Sequence, residues 1–266
     1  MLVSFAAVIA MSTDLQESLR AFERDGFVVM PGFASSERMA VLRSLAVTQL
    51  REGVEPLELE ADLKYAGAPD NRDAPGGKTA RRLLDAYSRG PAFQAWATSP
   101  DIARWLCEYF GSPPVLSLAH HNCVMTKHPD FGSATGWHQD IRYWSFSDSD
   151  LVSVWLALGP ETATNGGLWF IPGSHSAAFG RHQFDDRLFF RDDLNENRPW
   201  LAQARCPTLA PGDVVFFHCR LLHSARQNDS DAVKLSLVHT YHGHGCRPLP
   251  DTRSASRPEI PLENPL

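Results

Sequence analysis

The sequence predicts a mainly β chain with flanking helices, an α+β arrangement in which a sandwich or barrel is buttressed by N-terminal helices. Three observations lead there. Capped helical segments are confined to the first 110 residues, short β-type runs separated by turn signals fill the chain from residue 115 onward, and 43% hydrophobic content over 266 residues suffices for one full core. Sandwiches and barrels of this size commonly stay undivided, so residues 12–266 read as one domain.

In chain order, Ser12 and Thr13 are placed to cap a helix running through Leu15, Leu19 and Phe22, with Gly26 at its end, where a left-handed residue is wanted. A short strand over Phe27–Met30 follows. Ser35 or Ser36 starts a second helix through Met39, Leu42 and Leu45, and a third spans residues 100–110, stopped by Gly111. Residues 67–78 are rich in Gly, Pro, Asp and Asn without apolar periodicity, which reads as a long loop of the kind that forms lids. Strands are expected at 115–118, 122–127, 151–158, 168–171, 213–217 and 233–241, and the Pro-rich tail from 247 to 266 is expected to be irregular and peripheral. No internal repeat or low-complexity tract interrupts this order.

Residues 2–10 are apolar but lack a basic flank and are too short to span a bilayer. Residues 1–11 therefore read as a disordered extension or a start-site artefact, with Met11 as the start; an atypical signal peptide is the competing reading. The five cysteines (Cys107, Cys123, Cys206, Cys219 and Cys246) never form a CxxC pair, which suggests neither a disulfide framework nor a zinc knuckle and fits a reducing cytoplasm. A net charge of −6 carries no basic footprint for nucleic acid, so small molecules are the expected partners, with no membrane association, for a monomer or homodimer.

The chemistry-bearing pattern is Thr135-Gly136-Trp137-His138-Gln139-Asp140. On an extended strand, residues two apart share a face, so His138 and Asp140 can reach one ion. A second His would complete a two-His, one-carboxylate face, the donor mix that suits Fe(II) and leaves positions open. His223 follows the buried run 213–218 and two apolar residues, and His218 competes with it for the role.

At this point the chain resembles the phytanoyl-CoA dioxygenase family, a branch of the Fe(II)/2-oxoglutarate oxygenases. The likeness runs from Phe22-Glu23-Arg24-Asp25-Gly26-Phe27-Val28-Val29 to Tyr241. It is carried by WHQD at 137–140, VWLAL at 154–158, NGGLWFIPGSH at 165–175, APGDVVFFH at 210–218 and LLHSARQN at 221–228, in family order. It implies a double-stranded β-helix of the jelly-roll or cupin type, with His138, Asp140 and His223 as the iron ligands. His175 would then have a structural role in its turn.

The resemblance also implies a cation for the far carboxylate of 2-oxoglutarate, normally an arginine followed two residues later by Ser or Thr. Lys234-Leu235-Ser236 stands there, and alternation puts Lys234 and Ser236 on one face of the strand. Arg226 is the alternative anchor, and a different oxo acid the third possibility. Trp155 and, more loosely, Cys123 match pocket-lining positions, while Ala225 replaces a family serine.

The implied reaction takes up 2-oxoglutarate and O₂, releases succinate and CO₂, and hydroxylates a C–H bond of a small metabolite, with ascorbate as an auxiliary reductant. Asp140 argues for hydroxylation, since halogenating relatives lack that carboxylate. Arg142, Tyr143 and Trp144, at the mouth of the expected barrel, are substrate candidates, although Arg142 could instead pair with Asp148 or Asp150; Lys78, Arg81 and Arg82 are further candidates. The competing readings are a catalytically silent metal-binding relative that senses a ligand, and a cupin-like metalloenzyme that uses no 2-oxoglutarate.

Overall fold

Every residue of the strand Leu151–Ala157 is buried, so the sheet containing it must be covered on both faces. Alternation sorts its side chains. Val152, Val154 and Leu156 enter one apolar cluster, and Trp155 and Ala157 another. The strand Val214–His218 repeats this division, with Val214 and Phe216 on the first side and Val215 and Phe217 on the second.

These strands belong to a computed structural model that describes residues 5–63, 65 and 67–263, with side chains from residue 15 onward. Its elements are α1 (Phe5–Asp25), β1 (Phe27–Met30), α2 (Ser36–Glu52), β2 (Leu57–Leu59), β3 (Ala80–Leu84), α3 (Pro91–Ala97), α4 (Pro100–Phe110), β4 (Pro114–Lys127), β5 (Thr135–His138), β6 (Leu151–Ala157), β7 (Leu168–Phe170), α5 (Arg198–Leu201), β8 (Val214–His218), β9 (His223–Ala225), β10 (Lys234–Gly243) and β11 (Glu259–Pro261), with short 3₁₀ turns between. The major sheet runs β1-β8-β6-β10-β4-β3-β2, with β11 joined to β4, and the minor sheet runs β5-β9-β7. The two form the expected double-stranded β-helix.

Helices cover the outer face of the major sheet. Leu19 and Phe22 of α1, Leu42 and Ala46 of α2, Phe93 and Trp96 of α3, and Ile102, Trp105 and Leu106 of α4 pack in the first cluster, and the Trp105 ring stacks on Phe216 at 4.1 Å. Each large apolar side chain buried this way contributes about 1.5–3 kcal/mol. The inner face, carrying Trp155, Val215, Phe217 and Val238, looks toward the minor sheet and the site.

Several boundaries differ from expectation. α1 begins at Phe5, so Ser12 and Thr13 lie inside the helix rather than capping it; of the tail read over residues 1–11, residues 1–4 lie outside the described residues. Gly26 does end α1 with φ +79°, and a Cβ there would stand 2.4 Å from His175 Nδ1, so this turn tolerates no side chain. Ser35 caps α2 by accepting from Arg38 N, and α4 spans the expected residues, with Gly111 left-handed at its end. The runs at 115–118 and 122–127 are one strand, β4, bent by a register shift against β10. The tail is not wholly irregular: β11 pairs with Val115–Ser117, and Ser254 and Leu262 are buried; residues 264–266 lie outside the described residues. Residues 67–78 form turns, as expected. No described helix is long and apolar enough to cross a membrane.

Candidate metal centre

β5 and β9 are antiparallel, and their register places His138 directly opposite His223. The two rings lie 4.2 Å apart between centroids. Each turns its Nδ1 to the backbone: His138 donates to Gly136 O at 2.8 Å and His223 to Leu221 O at 2.9 Å. That pairing selects the Nδ1–H tautomer and points both Nε2 lone pairs away from the strands. Strand β5 stops at His138, but Gln139 remains extended, with φ −108° and ψ 136°, so the alternation holds through to Asp140, which opens a 3₁₀ turn. Asp140 Oδ1 then sits 3.7 Å from His138 Nε2 and 3.6 Å from His223 Nε2.

Among the described residues, His138, Asp140 and His223 form the one group whose donor atoms could share an ion, all within 4.8 Å of one another. Burial, followed by the neighbouring His223, pushes His138 well below the ordinary histidine range, so its imidazole is neutral, as a metal ligand must be. Asp140 Oδ2 is buried without a hydrogen-bond partner, although His121 Nδ1 lies 3.4 Å away. Burial also lowers His121, to about 4, so it brings no compensating charge. A buried carboxylate with an unpartnered oxygen is costly unless a cation joins it. The donor set fits Fe(II).

Beside the triad opens a pocket whose empty space, mouth included, is about 600 Å³. The triad histidines, His121, Trp155, Lys127 and Lys234 are among the residues that line it. Lys234 and Ser236 do share the inner face of β10, yet both are engaged by a residue that the sequence reading passed over. Glu161, in the β6–β7 connection and fully buried, accepts from Trp155 Nε1 at 3.0 Å and from Ser236 Oγ at 2.6 Å on Oε1. Lys234 Nζ lies 3.2 Å from its Oε2, and also donates to Ser236 Oγ at 3.0 Å.

Arg226 is exposed and does not line this pocket; its guanidinium stacks on the Trp169 ring at 4.2 Å. Cys123 is buried on the inner face of β4, with its thiol 3.5 Å from Met125 Sδ, and of the two Met125 is the one that lines the cavity. Arg142 pairs with neither Asp148 nor Asp150. It donates to the carbonyls of Arg187 and Leu188 and lies 4.2 Å above the Phe189 ring. Tyr143 is 53% exposed and donates to Arg187 O, and Trp144 stacks on His120. His218 is turned away from the triad, accepting from Arg220 N and facing Asp150 at 3.5 Å, and His175 lies beside Glu23 O and Gly26. Arg81 and Arg82 line the pocket, but Lys78 does not; Arg81 is held by Glu60, Ser133 and Thr135. Sequence reasoning missed Glu161, Lys127 and His121. A buried lysine demands a nearby acid, and that demand was the signal that could have found Glu161.

The chain is similar to known proteins over most of its length. A model of the family "Phytanoyl-CoA dioxygenase (PhyH)" matches residues 22–236. Human peroxisomal phytanoyl-CoA dioxygenase is 25% identical over 258 residues, covering 93% of this chain and 73% of that one. The ectoine dioxygenase of Sphingopyxis alaskensis is 26% identical over 228 residues, covering 78% and 69%. Among solved structures, the epimerase SnoN in complex with Fe³⁺, α-ketoglutarate and nogalamycin RO superposes with a TM-score of 0.72 at 22% identity, covering 95% and 96% of the two chains. Iron-bound EctD from S. alaskensis gives 0.71 at 22% identity, covering 93% and 86%. The family match spans the strand pair that carries the triad, and the chain belongs to the phytanoyl-CoA dioxygenase family of Fe(II)- and 2-oxoglutarate-dependent dioxygenases.

Proposed function

We propose that this enzyme hydroxylates a C–H bond of a small metabolite, with 2-oxoglutarate and O₂ consumed and succinate and CO₂ released. The observation that carries the reading is the complete His138–Asp140–His223 face beside a pocket. The intact carboxylate at Asp140 supports hydroxylation over halogenation. Relatives of this fold include an epimerase and a carbocyclase, so the outcome depends on what the pocket holds near the triad.

Fe(II), held by His138 Nε2, Asp140 and His223 Nε2, would supply the oxidising chemistry. The chain's own residues do the rest. The carbonyls of Gly136 and Leu221 fix both imidazoles in the ligating tautomer, and Phe170 and Phe217, packed at 6.4 and 5.2 Å from the His223 ring, exclude water from behind it. Phe189 meets His138 edge-on at 6.0 Å. The pocket lining, apolar at Met125, Leu168 and Phe217 and cationic at Arg82 and Lys234, suits a small molecule next to the co-substrate.

The test is an oxygen-dependent metabolite screen with Fe(II), 2-oxoglutarate and ascorbate. A product heavier by one oxygen atom should appear in step with succinate. Substrate consumed without gain of oxygen would replace hydroxylation with an epimerase- or cyclase-type outcome.

A further inference from the structure

The two groups that the co-substrate reading assigns to the far carboxylate of 2-oxoglutarate, Lys234 and Ser236, converge with the pocket-lining Trp155 on one point, and a carboxylate of the chain itself is already there. Trp155 Nε1, Ser236 Oγ and Lys234 Nζ all address Glu161. Oε1 accepts two hydrogen bonds and Oε2 one, so the group is satisfied without any ligand. Its backbone is pinned as well. Glu161 N donates to Leu209 O and its carbonyl accepts from Leu209 N, both at 2.9 Å, which leaves side-chain rotation as its way out of the seat.

We propose that Glu161 is a co-substrate specificity residue of this enzyme: it competes for the far-carboxylate seat, weakens the hold on 2-oxoglutarate there, and so admits 2-oxo acids whose far end is uncharged. The inference rests on the co-substrate reading above and sharpens it.

The electrostatic reason is simple. A second carboxylate arriving at Lys234 would share one ammonium with Glu161 in a dry site, and like charges a few ångströms apart do not both stay ionised there. An apolar far end meets no such conflict, because Leu168 and Phe217 line the same pocket. The lysine at 234 belongs to the same design. An arginine there would offer a planar fork able to serve two carboxylates, whereas one ammonium is a single point charge.

The experiment is anaerobic calorimetry on the Fe(II)-loaded full chain with two probes of equal chain length, 2-oxoglutarate and 2-oxopentanoate. Both chelate through the same oxo acid end, so the ratio of their dissociation constants cancels any loss of folded or iron-loaded protein. Glu161→Gln should move that ratio toward 2-oxoglutarate by about tenfold or more, and Glu161→Ala combined with Lys234→Arg should move it further. A ratio unchanged in both variants, or moved the other way, overturns the proposal while leaving the co-substrate reading intact. If neither oxo acid binds to the parent or to either variant, the proposal and that reading fall together.

Discussion

Lys234 on β10 and Lys127 on β4 are direct cross-strand partners, yet their charges are met differently: Lys234 lies 3.2 Å from Glu161 Oε2, while Lys127 Nζ donates to the carbonyl of Ser133 at 2.6 Å. A carbonyl dipole is weaker compensation than a carboxylate. Burial first, then Arg81 and Lys234, lowers Lys127 to about 7 from an ordinary 10.5. The unfolded chain therefore binds this proton more tightly than the folded one between those two values. Stability contributed by this group must rise as pH climbs from about 7 toward 10.5, and its cost is fully felt below 7. Urea unfolding at pH 7 and 9 should show the parent gaining on Lys127→Met with pH, by at most about 1.4 kcal/mol per pH unit. Identical pH slopes for the two proteins would show that Lys127 stays charged in the folded state.

Asp140 supplies the only anion of the triad, and its Oδ2 is buried without a hydrogen bond. Asp140→Asn keeps the volume but removes the charge that holds the ion beside the two imidazoles. Iron retained after anaerobic gel filtration should fall to a small fraction, and succinate formation should drop by about a thousandfold or more. Thermal stability without metal should hold or rise, because an uncompensated buried charge has gone. Full iron retention in this variant would sink the triad assignment.

The parts of this site that were legible in the sequence are those that local physics writes locally. His138 and Asp140 are two residues apart on extended chain, and alternation alone brings them to one face. Gly26 and Gly111 announced helix ends because both sit at positive φ. Glu161 was illegible for the opposite reason. It lies in an irregular connection, and its partners Trp155, Lys234 and Ser236 come from two other strands that meet only through the register of β6 with β10. α3 escaped because its seven residues carry too few turns for periodicity to show, and β11 because it lies in a Pro-rich tail that reads as irregular, its Pro261 tolerated at a sheet edge.

Arg142 is the last case, and its partners define a role that charge alone does not suggest. Its guanidinium lies between the Tyr143 ring at 4.6 Å and the Phe189 ring at 4.2 Å while donating to the carbonyls of Arg187 and Leu188. Leu188 has φ +59°, a strained conformation for a residue with a branched side chain, which persists only where neighbours hold it. The held segment carries Phe189 against His138 and within reach of Gly136, where a Cβ would come within 3.1 Å of the Phe189 ring. Arg142→Ala should therefore loosen residues 185–190 and raise the KM for substrate more than that for the oxo acid. Amide exchange across that segment should accelerate by about tenfold or more, while β6 and β8 keep their protection. Arg142→Lys should behave like the alanine variant, because an ammonium cannot stack between two rings while serving two carbonyls. Unchanged exchange at 187–190 in both variants would show that the loop is held from elsewhere.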